Sequence, residues 1–256
     1  FIHHKEEKST MKLKKIASLM LAGVMAVSML AGCQNANVDP EQPTDPIEPG
    51  TAGVSADIKS LVETWKDEEI PGYVTFSDSA ELNSDLEYAV EYAGVDSILP
   101  GYFTNKVEGV DYNDTINVRL REAVEATGYV DGQTVTVWNI GNDTILQNAE
   151  NHSGYEIDDA SAVILYAVSS AIGENAMKQM VAEQIGDAFY GYKYSIENTN
   201  GGNYNHEYTV SVSTYTKAVN STGAGIIAGT IGGGIAAEDP AVTFIAVQVV
   251  RTSTHQ

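Results

Sequence analysis

The side chain whose surroundings point to a specific chemistry is the thiol of Cys33. It is the only cysteine among the 256 residues of the chain, so the chain cannot form an internal disulfide. Ala31 and Gly32 precede it, and residues this small let an extended chain enter a peptidase site. A thiol at such a point can accept a lipid. Because no disulfide reinforces the fold, the fold must rest on an ordinary hydrophobic core.

The segment before Cys33 has the three parts of a secretory signal peptide. Three lysines follow Met11, an uncharged apolar run extends from Ile16 to Leu30, and small residues end the segment. The run is shorter than the roughly 20 residues that span a bilayer comfortably, which disfavours a permanent membrane helix. The alternative is an uncleaved N-terminal anchor with an incidental cysteine.

The end of this segment, Leu30-Ala31-Gly32-Cys33, resembles the lipobox of bacterial lipoproteins. The resemblance implies that residues 11–32 are removed and that Cys33, diacylated, becomes the mature N-terminus. It also implies a protein held on the cell membrane by fatty acyl chains, palmitate or similar, and facing the outside of the cytoplasm. The membrane, reached through the lipid on Cys33, is therefore the one partner that the sequence predicts by type.

The ten residues before Met11 have no place in such a signal. Codons for Lys5-Glu6-Glu7 can contain a purine-rich ribosome-binding sequence, and Met11 lies just downstream of them. We expect translation to begin at Met11 and residues 1–10 to be an artefact upstream of the true start. A genuine short N-terminal extension is the alternative.

The mature chain is strongly acidic. Five of the 14 Lys and Arg and two of the 35 Asp and Glu precede Cys33, so 9 basic and 33 acidic residues remain and the net charge is −24. Nucleic acid is disfavoured as a partner because phosphate binding needs clustered cations. Attraction to anionic lipid headgroups is disfavoured for the same reason. No cofactor is predicted.

A change of composition marks the start of the folded domain. Residues 33–54 are rich in proline and acids and contain no aromatic residue, which precludes a packed core and predicts a disordered tether. Residues 55–256 have the length of a single globular domain.

The periodicity of apolar residues within this domain predicts an α+β fold, with a helical first part followed by a three-stranded, mainly antiparallel sheet. Asp78 and Glu81 are spaced as a capping pair, and Asp114 precedes another helix as a cap. The segment 160–172 is apolar on nearly every side and predicts the central buried helix. Further helices are predicted around Ile58–Trp65, Leu82–Ala93, Ile116–Val124, Thr144–Asn151 and Met177–Phe189, and strands at Tyr73–Phe76, Gln133–Ile140, Tyr192–Ile196, Tyr208–Ser213 and Ala241–Thr252.

One set of titratable residues resembles a known family. Gly173-Glu174-Asn175 is similar to the GEN motif of the CAP (SCP/PR1-like) superfamily, whose order of residues is His, Glu, Glu, His before an aromatic-Thr pair. His152, Glu174, Glu183 and His206 occur here in that order, and Tyr208-Thr209 follows. The resemblance implies an α-β-α sandwich in which the four side chains meet in a cleft that could hold a divalent metal or a small ligand.

Each of these residues also has a simpler interpretation. Glu174 begins a predicted helix, where the helix dipole favours an acid, and Glu183 can face solvent on the same helix. His206 lies at the entry to a strand, where a polar residue is common. The sequence contains no H-E-x-x-H or G-x-S-x-G motif that would support a catalytic site. The residues also do not specify which metal, if any, would bind.

Glycines recur every four residues in the segment 222–237, at Gly225, Gly229 and Gly233. On a helix this spacing presents a flat face for close packing in lipid. The preferred interpretation is an apolar, glycine-rich connection packed against the domain.

Together these features predict a lipid-anchored envelope protein whose domain is a non-enzymatic binding or interaction module for an unidentified ligand or protein. The alternative is a CAP-like domain or a metal-dependent hydrolase with a cleft of histidines and glutamates.

Overall fold

The structure of the chain is a computed structural model that describes residues 53–94, 100–130, 133–136, 140, 159–198, 202–218 and 241–256. The contacts between residues divide the chain into two compact units. Of the described residues, Ser79–Glu81 belong to the first unit and all the others belong to the second. Several predictions lie outside the described residues: the segment 1–10, the signal peptide 11–32, Cys33 and the tether up to residue 52, the helix 144–151, His152 and the glycine-rich segment 222–237.

Four α-helices occur in the described residues, and all four were predicted from the spacing of their apolar side chains. The capping prediction at Asp114 is confirmed, since its Oδ1 accepts a hydrogen bond of 2.8 Å from the backbone N–H of Ile116. The helices are α1, Val54–Lys66; α2, Ala80–Ala93; α3, Thr115–Ala123; and α4, Glu174–Tyr190.

Six strands form one mixed sheet. Five lie side by side in the order β1-β7-β8-β5-β2, while β6 pairs with the start of β7, and β3 and β4 pair as a separate two-stranded sheet. All pairs are antiparallel except β1 with β7. The strands are β1, Val74–Phe76; β2, Glu108–Gly109; β3, Thr127–Val130; β4, Gln133–Thr136; β5, Ala160–Ser169; β6, Ser195–Asn198; β7, Gly202–Ala218; and β8, Ala241–His255.

The α+β class is confirmed, but the prediction of a three-stranded sheet is wrong. The segment 160–172, predicted as a buried helix, contains the strand β5, which ends at Ser169 and is followed by a short 3-10 turn. Helices cover both faces of the sheet, so β5 is buried on both sides and its sequence shows no alternation of polar and apolar residues. An apolar run of this kind does not distinguish a strand from a buried helix.

The two faces of the sheet carry separate cores. On the first face α1 and α4 pack over apolar side chains of β5, β7 and β8. On the second face α2 and α3 pack over the apolar side chains of β5 and β8 that point the opposite way. Gly186 brings α4 close to α1, because a Cβ atom there would lie only 2.9 Å from the ring of Trp65. No helix among the described residues is both long enough and apolar enough to cross a membrane.

Ser55, at the start of α1, joins this helix to two other parts of the domain. Its backbone N–H donates to Asp78 Oδ1 at 3.0 Å, and its Oγ accepts a hydrogen bond of 3.0 Å from the backbone N–H of Val212 in β7. The side chain of Asp78, predicted to cap α2, thus accepts a hydrogen bond from the first turn of α1. A single buried hydroxyl fixes where the first helix of the domain meets the sheet.

We predict that Ser55→Ala lowers the free energy of unfolding by about 1–3 kcal/mol, because it leaves the buried N–H of Val212 without an acceptor. Ser60→Ala is the matched control on the same helix: its hydroxyl is exposed and donates to the carbonyl of Ala56, and the change should stay within about 0.5 kcal/mol. Urea denaturation of both variants measures the difference. Equal effects of the two substitutions would contradict this role of Ser55.

Candidate functional site

His206 is one of the two predicted cleft histidines and the one that the structure describes. It lies in β7, directly opposite Ser253 of β8, and its side chain is fully buried. The imidazole Nδ1 is 2.9 Å from Ser253 Oγ, and the backbone N–H donates to the carbonyl of Tyr194 at 2.6 Å. Among the described residues no hydrogen-bond partner reaches Nε2.

Tyr208 and Arg251 form the pair two positions further along the same two strands, on the same face of the sheet, and both side chains are buried. Burial is the main reason that the pKa of His206 falls to about 4, and the positive charge of Arg251 lowers it further. Burial also raises the pKa of Tyr208 to about 12, although Arg251 partly opposes that rise. At neutral pH the imidazole and the phenol are therefore both uncharged.

A layer of tyrosines covers this end of the sheet. The rings of Tyr192 and Tyr208 stack with their centroids 4.4 Å apart, and the ring of Tyr73 lies 6.3 Å from that of Tyr208. Each hydroxyl donates to a backbone carbonyl: Tyr192 to Ile140 at 2.8 Å, Tyr208 to Lys193 at 3.1 Å and Tyr73 to Tyr192 at 2.7 Å. These phenols serve as donors that tie neighbouring segments together at this end of the sheet, and Tyr192 and Tyr208 among them are buried.

The pair of Ser253 and His206 has the residue types of a nucleophile and its base, but not the properties. A general base is most effective when its pKa lies near the working pH, and the pKa of His206 lies near 4. The imidazole is also fully buried, so a substrate would have to displace the surrounding side chains to reach it. The geometry favours a hydrogen-bonded core network over a catalytic dyad.

The two predicted cleft glutamates lie on α4 and make contacts within that helix. Glu174 Oε1 lies 2.5 Å from Nζ of Lys178, which also contacts Asp57 Oδ2 at 2.7 Å. Glu183 Oε1 accepts a hydrogen bond of 3.2 Å from Gln179 Nε2.

Neither carboxylate shares a hydrogen bond or an ion pair with His206 in the described part of the chain. No group of three His, Cys, Asp or Glu residues there is placed to hold a metal ion. Because His152 lies outside the described residues, the four-residue cleft stays a prediction.

Sequence reasoning missed Ser253 and Arg251 as neighbours of His206, and it missed Tyr192 as the ring that stacks on Tyr208. One signal was present: Arg251 is a charged residue that directly follows the mostly apolar stretch Ala241–Val250 of β8. The register of β7 on β8 decides which residues Arg251 meets, and that register depends on the two strands together and on the connection between them.

Comparisons of the chain with protein-family models, with curated proteins and with solved structures find no match. Its function therefore has to be inferred from its own residues. In the described part of the chain, two groups of residues bear on function: the buried network around His206 and the exposed side chains of the helices.

The pKa of His206 makes stability depend on pH. An unfolded histidine has a pKa near 6.5, above the folded value of about 4, so the unfolded state binds more protons between these two values. The free energy of unfolding should therefore fall by on the order of 2 kcal/mol as the pH drops from about 6.5 to 4. In His206→Asn, which cannot take up the proton, this loss should be correspondingly smaller.

The measurement is denaturant unfolding of both proteins at pH 7 and pH 4.5. His255→Asn, which removes an exposed histidine of β8, is the matched control and should keep the pH dependence of the wild type. Parallel losses in the wild type and in His206→Asn would show that His206 does not carry the effect.

Proposed function

We propose that the chain is a bacterial lipoprotein whose α+β domain is held at the cell membrane by lipid on Cys33, where it binds another molecule without catalysing a reaction. The observation that carries the proposal is the sequence Leu30-Ala31-Gly32-Cys33 at the end of a basic and then apolar leader. The domain is displayed outside the cytoplasm, in the cell envelope. The bound molecule is a ligand or a protein of the envelope or its surroundings.

The lipid supplies the membrane affinity in this proposal, because the domain itself cannot. A net charge of −24 on the mature chain opposes approach to anionic headgroups. One acyl chain gives only marginal, reversible binding, whereas two chains hold a protein stably. Twenty residues separate Cys33 from Val54, the first residue of α1, and a chain of that length reaches about 65 Å when fully extended.

Binding rather than catalysis is supported by the state of His206. It is fully buried, and its pKa near 4 makes it a poor base at neutral pH. The metal-dependent cleft of His152, Glu174, Glu183 and His206 is the weaker candidate, because Glu174 and Glu183 accept from residues of their own helix while His206 bonds to Ser253.

The first test of the proposal is the fate of Cys33. In cells that make the protein we expect acylation and cleavage at this residue, partition of the protein into the detergent phase, and loss of that partition in Cys33→Ser. Ser28→Ala, a substitution inside the apolar run, is the control and should partition as the wild type does. Mass spectrometry that finds an unmodified N-terminus beyond Cys33 would refute the anchoring.

The second test separates a binding module from a metal-dependent enzyme. We expect the purified protein to contain well below one equivalent of zinc or another transition metal, and His206→Ala to leave that content unchanged. Near-stoichiometric metal that is lost in His206→Ala, with the domain still folded by circular dichroism, would favour the cleft of histidines and glutamates.

A further inference from the structure

Two tyrosines on the outer side of α2 are unusually exposed for such large rings. Tyr88 retains 52% and Tyr92 57% of its accessible surface. Single exposed aromatic residues are ordinary on protein surfaces, but these two lie one helical turn apart with ring centroids separated by 5.6 Å and ring planes inclined by 42°. They form a continuous aromatic surface rather than two isolated rings.

An ion pair on the neighbouring helix borders this surface. The guanidinium of Arg119, on α3, lies 4.5 Å from the ring centroid of Tyr92, and its Nη1 is 2.8 Å from Glu122 Oε2. We call Tyr88, Tyr92, Arg119 and Glu122 the tyrosine platform. It combines two exposed aromatic rings with a guanidinium that lies over one face of Tyr92 and a carboxylate that pairs with that guanidinium.

The platform rests on a rigid base. On the inner side of α2 the side chains of Leu86, Ala89 and Val90 are completely buried against the second face of the sheet, and so is Leu120 on α3. Both helices are thus fixed by core packing, so a ligand would meet a surface that needs little ordering on binding. Preorganised surfaces bind more tightly because this entropic cost is already met in folding.

Charge selects the type of ligand. Arg119 and Glu122 neutralise one another, so the platform has no net charge on a mature chain of −24. The acidic chain repels an anion, and the positive charge of Arg119 over the ring of Tyr92 repels a cation at the platform. Glu91, an acid of the same helix, is bonded instead to Lys217 and Tyr215 of β7. The platform is therefore complementary to a neutral ligand.

The exposed area of the platform limits the size of the ligand that it can bind. A buried tyrosine covers about 150–250 Å², so the exposed halves of two rings offer roughly 200 Å². A stable protein interface needs about 800 Å² on each partner, which the two rings cannot approach. The platform has the dimensions of a site for a small or narrow ligand that lies across both rings.

We infer that the tyrosine platform binds a neutral glycan chain. The C–H face of a sugar ring stacks on the electron-rich face of an aromatic ring, and vicinal hydroxyls can accept from a guanidinium and donate to a carboxylate. Two adjacent tyrosines receive two successive sugar units, and the inclination of their rings suits a chain that twists. The inference rests on the proposed function only in taking the domain as a binding module.

The experiment is calorimetric titration of the full-length protein in detergent with β-1,4-linked tetrasaccharides of glucose and of N-acetylglucosamine. We expect at least one of them to bind, and Tyr88→Ala or Tyr92→Ala to weaken its binding about tenfold or more. Tyr88→Phe should bind within about twofold of the wild type, since stacking needs the ring and not the hydroxyl. Tyr194→Ala, at another exposed tyrosine, is the matched control and should bind like the wild type.

The inference is overturned if neither tetrasaccharide binds, or if Tyr88→Ala and Tyr92→Ala bind like the wild type. Binding of an acidic polysaccharide, polygalacturonate, or of a polylysine peptide in place of both tetrasaccharides would also overturn it. Unfolding curves of the variants show whether a loss of binding is a loss of fold. Sugar binding that persists in Cys33→Ser would separate this inference from the lipid anchor, so either can fail without the other.

Discussion

The fold depends on one constraint: three long antiparallel strands, β5, β8 and β7, lie side by side and are buried on both faces. Every residue of β5 pairs with one of β8, and β8 pairs along its length with β7. A sheet that is apolar on both faces must be covered on both, so α1 with α4 and α2 with α3 have to occupy opposite sides. The short strands β1, β2 and β6 then cover parts of the edges and limit the exposed backbone there.

The same constraint separates the buried polar groups from the surfaces that can meet a partner. At one end of β7 and β8 polar groups enter the buried layer, as at His206, which lies beside Ser253, and at Arg251, which lies opposite Tyr208. The bond from Tyr208 to the carbonyl of Lys193 and the bond between His206 and Ser253 offset part of the cost of burying these groups. Their role is to hold the loops on the sheet, and the side chains left for recognition are those on the outer sides of the helices.

The helices were predicted correctly because each is buried on one side, which produces a recognisable spacing of apolar residues. Helix α1 buries Ile58 and Val62 and leaves Thr64 in solvent, so its spacing could be recognised directly. In β5, by contrast, Ala162 and Val163 point to opposite faces and both are buried. Because polar and apolar residues do not alternate in this segment, its sequence predicts a helix. The residues of β8 that pair with it, and so make it a strand, lie more than 70 residues away in the chain.

The sequence alone determined the four helices and the cap at Asp114, since each depends on residues within a few positions of one another, and its composition determined that the chain is acidic. The tertiary structure alone decided that β5 is a strand, that His206 meets Ser253 and the charge of Arg251, and that Arg119 lies over Tyr92. These contacts join residues far apart in the chain, and they follow from strand register and helix packing. Both are set by how the whole core excludes water, which no short segment of sequence specifies.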